Sequence, residues 1–174
     1  MLVTVTVLAL ALGIGMPMFL STVYRARLEG AARQMNATMQ SARLKAIKLQ
    51  RNLQVEMVTD EGRVVAFIDD DADKAQDLGE EGLPPIVLQQ GLTFRAPAGQ
   101  TAVEGFEVIG NRALAIFLSD GSVDAQGAIR IADERDNFLE VRVAPKGSAK
   151  IEVRKWDGAN WWARNEGGHP WHWN

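Results

Sequence analysis

Residues 1–27 read MLVTVTVLALALGIGMPMFLSTVYRAR, and no charged side chain stands between Met1 and Arg25. An uncharged apolar run of about 20 residues, rising about 1.5 Å each, is long enough to cross the hydrocarbon core of a bilayer as a helix. A cleaved secretory signal has basic residues before a shorter apolar core, then small residues at the cut. Here nothing basic precedes the run, and Leu20-Ser21-Thr22-Val23 is a poor cleavage site. The segment reads as a membrane anchor rather than a signal peptide.

The pattern does not stop at Arg27. Leu28, Ala32, Met35, Met39, Ala42, Ala46 and Leu49 follow at alternating steps of four and three, which places them on one stripe of a helix. Arg33, Gln40, Arg43 and Lys48 fall off that stripe. Anchor and amphipathic stretch together predict one helix of about 50 residues, about 75 Å long. Pro17 is expected to kink it or open it locally. The other reading is two helices with a turn near Glu29-Gly30, but a lone glycine is a weak breaker, costing about 1 kcal/mol.

After Asn52 the period changes from 3.6 to 2. LQVEMVT alternates, DEGR turns and VVAFID returns as a hairpin. IVLQQGLTF, GFEVIG, ALAIFLSDGS, AIRIAD, FLEVRVAP and AKIEVRKW follow, with turn signals at Pro84-Pro85, Pro97-Ala98-Gly99, Asp120-Gly121, Asp136-Asn137 and Lys146-Gly147. Six to eight short strands are expected, forming an antiparallel sheet with one face covered by the amphipathic half of the helix. The fold class is α+β. Its parts are the transmembrane half of the helix (1–24), the amphipathic half (25–52), a β-rich globular domain (53–156) and a tryptophan-rich tail (157–174).

Charge divides along the same boundary. Of 19 Lys and Arg and 22 Asp and Glu, seven bases and one acid, Glu29, precede Leu53, which leaves twelve bases against twenty-one acids in the body. A basic stem therefore carries an acidic body, as though the two meet different surroundings. The chain has no cysteine, which excludes disulfides and cysteine-based metal sites. It has no glycine-rich phosphate loop, no HExxH and no G-x-S-x-G, so the motifs speak against an enzyme.

The hydrophobic helix with its proline, followed by YRARLEGAARQMNATMQSARLKAIKLQRNLQV, resembles the GspH/FimT family of type IV pilin-like proteins. VVAFIDDDADKAQDLGEEGLPPIVLQQGLTF and FLSDGSVDAQGAIRIADERDNFLEVRVAPKGSAKIEV resemble the later parts of the same family, so the likeness runs to about Trp156. The resemblance implies a minor pseudopilin of a type II secretion system or a minor pilin of a type IV pilus. Such a subunit is held in the bacterial inner membrane by a single pass, with its C-terminal domain in the periplasm, and assembles with other pilin-like subunits through the helix. The resemblance also implies a basic leader cut by a prepilin peptidase, a methylated first residue and a glutamate at the fifth mature position. This sequence shows neither cleavage site nor glutamate; the expectation is that these lie upstream of Met1, and the alternative is a divergent anchor that never had them. Ala9, Ala11, Gly13, Gly15 and Pro17 are the assembly-helix candidates, the small ones because they let helices approach closely; ordinary membrane-helix composition would look the same.

Two polar clusters carry other readings. In DDDADKAQDLGEE, Asp69, Asp71, Asp73, Asp77 and Glu80 occupy positions 1, 3, 5, 9 and 12 of a calcium loop, with the Ala75 carbonyl at 7. Lys74 stands where such a loop needs glycine, and the alternative is a solvated acidic tip. In the tail, Trp156, Trp161 and Trp162 with Lys150, Arg154, Lys155 and Arg164 could stack and neutralise single-stranded DNA. The acidic domain argues instead for a terminal strand packed on the β-domain or a neighbour. His169 and His172 are too few for a metal site. No cofactor other than calcium is implied. If calcium binds, millimolar calcium raises the melting temperature through linkage, and Asp71→Ala abolishes the rise; calorimetry with and without the ion measures it.

Overall fold

The computed structural model describes residues 2–70, 73–77, 79–164, 166 and 171, with side chains from position 21 onward. A single helix, α1, runs from Leu2 to Leu49. It passes Pro17 and Gly30 without a break, so the two-helix alternative is set aside. Its 48 residues make a rod of about 72 Å. It ends at Leu49, the last residue of the apolar stripe, in a cap that needs no glycine. Gln50 takes φ of 53°, its N–H donates to the Ile47 carbonyl, and the Arg51 N–H donates to the Ala46 carbonyl, a Schellman arrangement that satisfies two terminal carbonyls.

Among the described residues eleven strands follow rather than six to eight, in two sheets. The first sheet contains β1 (Leu53–Val58), β2 (Arg63–Phe67), β3 (Gly82–Val87), β6 (Glu107–Ile109) and β7 (Arg112–Phe117), in the order β3-β2-β1-β7-β6. The second contains β4 (Thr93–Phe94), β8 (Gly127–Ala132), β9 (Phe138–Val143), β10 (Ile151–Trp156) and β11 (Trp161–Ala163), in the order β11-β10-β9-β8-β4, with β5 (Val103–Glu104) also paired to β8. All pairings are antiparallel. The extra strands are pieces of two or three residues, too short to show a period.

The helix packs on both sheets, against β1, β2, β3 and β7 of the first and β8, β9 and β10 of the second. Leu28, Ala32, Met35, Met39, Ala42 and Ala46 are all fully or nearly fully buried. They meet Leu53, Val55 and Met57 from one sheet and Ile129, Ile131, Leu139, Val141 and Val143 from the other in one core. The helix covers the antiparallel sheets as expected, and its stripe serves two inner faces at once.

Pro84-Pro85 is not a turn. Both residues lie inside β3, at the edge of the first sheet. An edge strand can lack donors on its outward side, and the register with β2 shifts between Val64 and Ala66 to accommodate the pair.

The outer faces carry buried charge. Arg130 of β8 is directly opposite Glu140 of β9; they are 3% and 0% exposed. Arg130 Nε donates to Glu140 at 2.8 Å, Nη1 donates to the Thr101 carbonyl at 2.8 Å, and Nη2 donates to Glu104. One guanidinium thereby ties β8, β9 and the 95–104 segment together.

Two stability predictions follow from this packing. Met39→Ala is expected to cost about 2–5 kcal/mol, while Leu44→Ala, on the same helix but 66% exposed, changes stability by no more than about 0.5 kcal/mol. Arg130→Met strands a buried carboxylate and is expected to cost about 3–5 kcal/mol, much of it recovered in Arg130→Met/Glu140→Leu. Urea unfolding of the four variants measures both.

Candidate functional site

The chemistry of this chain lies in its surfaces, and the stem comes first. Ala9, Ala11, Gly13, Gly15 and Pro17 fall within α1, in the part whose side chains lie outside the described residues, as does most of the expected span. Among the described residues no helix is long and apolar enough to cross a membrane. Contact with the body extends back to Tyr24, whose ring lies 5.1 Å from the Arg135 guanidinium carbon. The helical residues before Tyr24 add about 33 Å of rod.

The basic residues of the stem are used largely within the molecule. Arg43 Nε donates to the Gly121 carbonyl at 2.7 Å and so holds the Asp120-Gly121 turn. A Cβ at Gly121, where φ is 84°, would meet the Ile47 side chain at 2.7 Å. The left-handed backbone and the helix beside it both call for glycine here. The turn is braced from within, as the Ser122 hydroxyl and N–H donate to Asp120 and hold its carboxyl below the usual carboxylate range. Lys45 pairs with Glu81 at 2.9 Å and donates to the Gly82 carbonyl at 3.2 Å, and Arg51 pairs with Asp70. The charge asymmetry between stem and body is in part internal complementarity.

The described residues of the acidic segment, 69–70, 73–77 and 79–81, lie between β2 and β3, with Asp70, Asp73 and Asp77 exposed. Lys74 is fastened to the outer face of the first sheet. Gln54 and Arg112 both donate to the Lys74 carbonyl at 3.1 Å, Lys74 has φ of 62°, and its ammonium pairs with Glu107 at 2.7 Å. Beneath it Val58, Val65, Phe67 and Leu114 are buried, together with Gln54 and Glu56. The carboxylates brace the loop itself: Lys74 N–H donates to Asp69, Ala75 N–H to Asp73, and Asp70 and Asp77 N–H to the two oxygens of Glu80. Asp71 lies outside the described residues, and among those described no group of three or more acids or histidines is placed to hold a metal ion.

The tail candidates do not converge. Trp156 and Trp161 are cross-strand partners with ring centroids 5.2 Å apart, on the same face as Arg130 and Arg154. Trp161 Nε1 donates to Gln100 at 2.8 Å, and its ring lies 5.2 Å from the Arg130 guanidinium carbon. Lys155 and Trp162, paired with one another, project from the opposite face, toward the helix. Burial, then repulsion from Arg25, lowers the Lys155 pKa, while Glu29 and Asp157 oppose the shift. Trp162 Nε1 donates to Asp157 at 2.6 Å; that bond, after those from the Asn160 and Ala159 amides, holds the Asp157 carboxyl low. Lys150 and Arg154 both pair with Glu152, whose carboxyl is held low first by the Lys150 hydrogen bond, against the effect of burial. Arg164 lies over the Trp171 ring at 5.8 Å. His169 and His172 lie outside the described residues.

Sequence reasoning missed two features. One is the Arg130 clasp, for which the signal was present: AIRIA and FLEV put opposite charges at matching positions of adjacent strands. The other is an open groove between α1 and β10, which no local pattern announces.

Residues 31–148 match the protein family described as type II transport protein GspH. Two solved structures share the fold. One is the minor pseudopilin EpsH from the type 2 secretion system of Vibrio cholerae, 16% identical, covering 73% of this chain and 95% of its own, with a TM-score of 0.52. The other is the type IV minor pilin FimU of Pseudomonas aeruginosa, 14% identical, covering 79% of this chain and 93% of its own, with a TM-score of 0.53. No curated protein matches the sequence. The match spans the buried half of α1 and both sheets as far as the turn after β9, and on that evidence the chain belongs to the GspH family.

Proposed function

We propose that the protein is a minor pseudopilin: a structural subunit that joins other pilin-like subunits in a type II secretion pseudopilus and so supports protein export. The observation that carries this reading is the division of one unbroken helix. Its second half is consumed by the core of its own domain. Residues 1–23 are uncharged and precede Tyr24, whose ring meets Arg135 of that domain. A helix apolar on all sides must be covered by lipid or by other helices. A bilayer supplies that cover before assembly and a filament core afterwards, with the β-domain outside on the periplasmic side. Secretion is favoured over a pilus because the matching family is described by type II transport. A DNA-uptake role has less support, since the tryptophans and bases that would form the binding strip are divided between two faces of the second sheet and three of the bases face carboxylates.

Leu10→Lys in the full chain tests the reading. A lysine at the centre of a membrane helix costs about 2.5–3.5 kcal/mol, with no change expected in the folded body. The wild-type chain is expected in the inner-membrane and sheared-filament fractions, and the variant to be lost from both while circular dichroism of the body is unchanged. A variant that still reaches filaments, or a wild type absent from both fractions, would overturn the assignment.

A further inference from the structure

A row of aromatic rings crosses the outer face of the second sheet. Trp156 of β10 is paired with Trp161 of β11, their ring centroids 5.2 Å apart. On the other side of β10, the register that sets Lys155 against Leu139 brings Phe138 of β9 next to Trp156. Guanidinium groups close both ends of the row. Arg130 lies over Trp161 at 5.2 Å, and Arg95 lies over Phe138 at 5.4 Å. The outer rings of the row are therefore committed within the molecule. Trp161 also donates its indole N–H to Gln100 at 2.8 Å, and Phe138 is 8% exposed. The middle ring is different. Trp156 is half-buried, and among the described residues no acceptor takes its indole N–H.

Trp156 and Phe138 line a cleft of about 550 Å³, a size that suits a ligand site. The segment after β4 supplies Ala96, Pro97 and Ala98 to it, and the turn after β10 supplies Gly158. A Cβ at Gly158 would meet nothing within 4 Å, so the cleft is open at this turn. Its charged groups are Arg95 and Asp136, which pair with one another at 2.6 Å. Arg95 also donates to the Asp133 carbonyl at 2.9 Å. These two bonds hold the segment after β4 against the β8–β9 turn, so the cleft is already formed.

The chemistry of the walls selects the occupant. The charges cancel, so an ionic group gains nothing here. The cleft offers donors: the Trp156 N–H, and on Arg95 a guanidinium with five N–H groups. Its one side-chain acceptor among the described walls, Asp136, is already engaged by Arg95. The matching ligand is apolar in body and carries acceptors without donors. Proline has that character in a chain, since it keeps its carbonyl and lacks an N–H. A run of prolines is also extended in advance, so little ordering is lost on binding an aromatic-lined cleft. A sugar ring could stack on the indole as well, but its hydroxyls donate as readily as they accept, and the walls leave those donors poorly matched.

We propose that this cleft binds an extended, proline-rich segment of another protein, with a proline ring against the Trp156 indole and a carbonyl accepting from its N–H. Trp156 and Gly158 lie beyond residues 31–148, which carry the family match, and the inference does not depend on the assembly reading.

Calorimetric titration of the full chain in detergent micelles with an acetylated decaproline peptide tests it. The expected result is saturable binding that changes less than about twofold between low and roughly 0.5 M salt, because the cleft is neutral. Trp156→Ala should weaken binding at least about tenfold. Trp156→Phe keeps a ring and loses the donor, and should weaken it about fivefold. Ala98→Phe, at an exposed position lining the cleft, fills the space without entering the core and should weaken binding at least about tenfold, with circular dichroism unchanged. Leu44→Ala, on the stem, should leave it as it is. No saturable binding up to about 1 mM peptide, or equal affinity in Ala98→Phe and Trp156→Phe, overturns the proposal. Maltoheptaose is titrated in parallel, and its binding in place of decaproline would overturn the proposal in favour of a saccharide site.

Discussion

One row of small and flexible side chains on α1 holds the molecule together. Neither sheet has an inner face that can be left in water, and neither closes on itself. Both bury that face against the same stripe. Ala31, Ala32, Ala42 and Ala46 let the sheets approach the helix backbone closely, while Leu28, Met35 and Met39 fill the wedge between them. Methionine suits such an irregular gap because its unbranched chain adapts to it. The same stripe fixes how the stem leaves the domain, and therefore the direction in which the uncharged half of the helix projects.

The outer faces follow a different principle. Strands that alternate apolar and polar residues normally leave the polar side in water, yet Gln54, Glu56, Arg130 and Glu140 are all buried. Each is covered by a long connection that folds back across its sheet and is held by side-chain donors on its carbonyls: Lys74 receives Gln54 and Arg112, and Thr101 receives Arg130. Irregular backbone is tolerated over a sheet because its polar groups find partners there. These two connections give a small domain a second layer on each side without a second helix.

The sequence revealed what is periodic and concealed what depends on distant partners. The stripe from Leu28 to Leu49, the hairpin of β1 and β2, and the long strands β7 to β10 are legible because burial imposes a period on them. The family was legible for the same reason, since its signature is the stem. The division into two sheets was not, because β4, β5 and β6 are two or three residues long. Pro84-Pro85 read as a turn because the sequence cannot say that β3 is an edge. The fastening of the 69–81 segment to the first sheet was not legible either, because nothing local shows that Gln54 and Arg112 reach the Lys74 carbonyl. The tail candidates were grouped by proximity in sequence, but alternation along β10 and β11 sends neighbours to opposite faces.

The way the stem is fastened has a mechanical consequence. A pull along α1 does not peel its contacts one at a time. The stripe residues, the Arg43 bond to the Gly121 carbonyl and the Lys45 bond to the Gly82 carbonyl lie along a single axis, so axial tension loads them in shear and together. A sideways pull on the helix end would open them in sequence, starting from Tyr24 and Leu28. The domain is therefore built to resist force directed along its own stem far better than force across it.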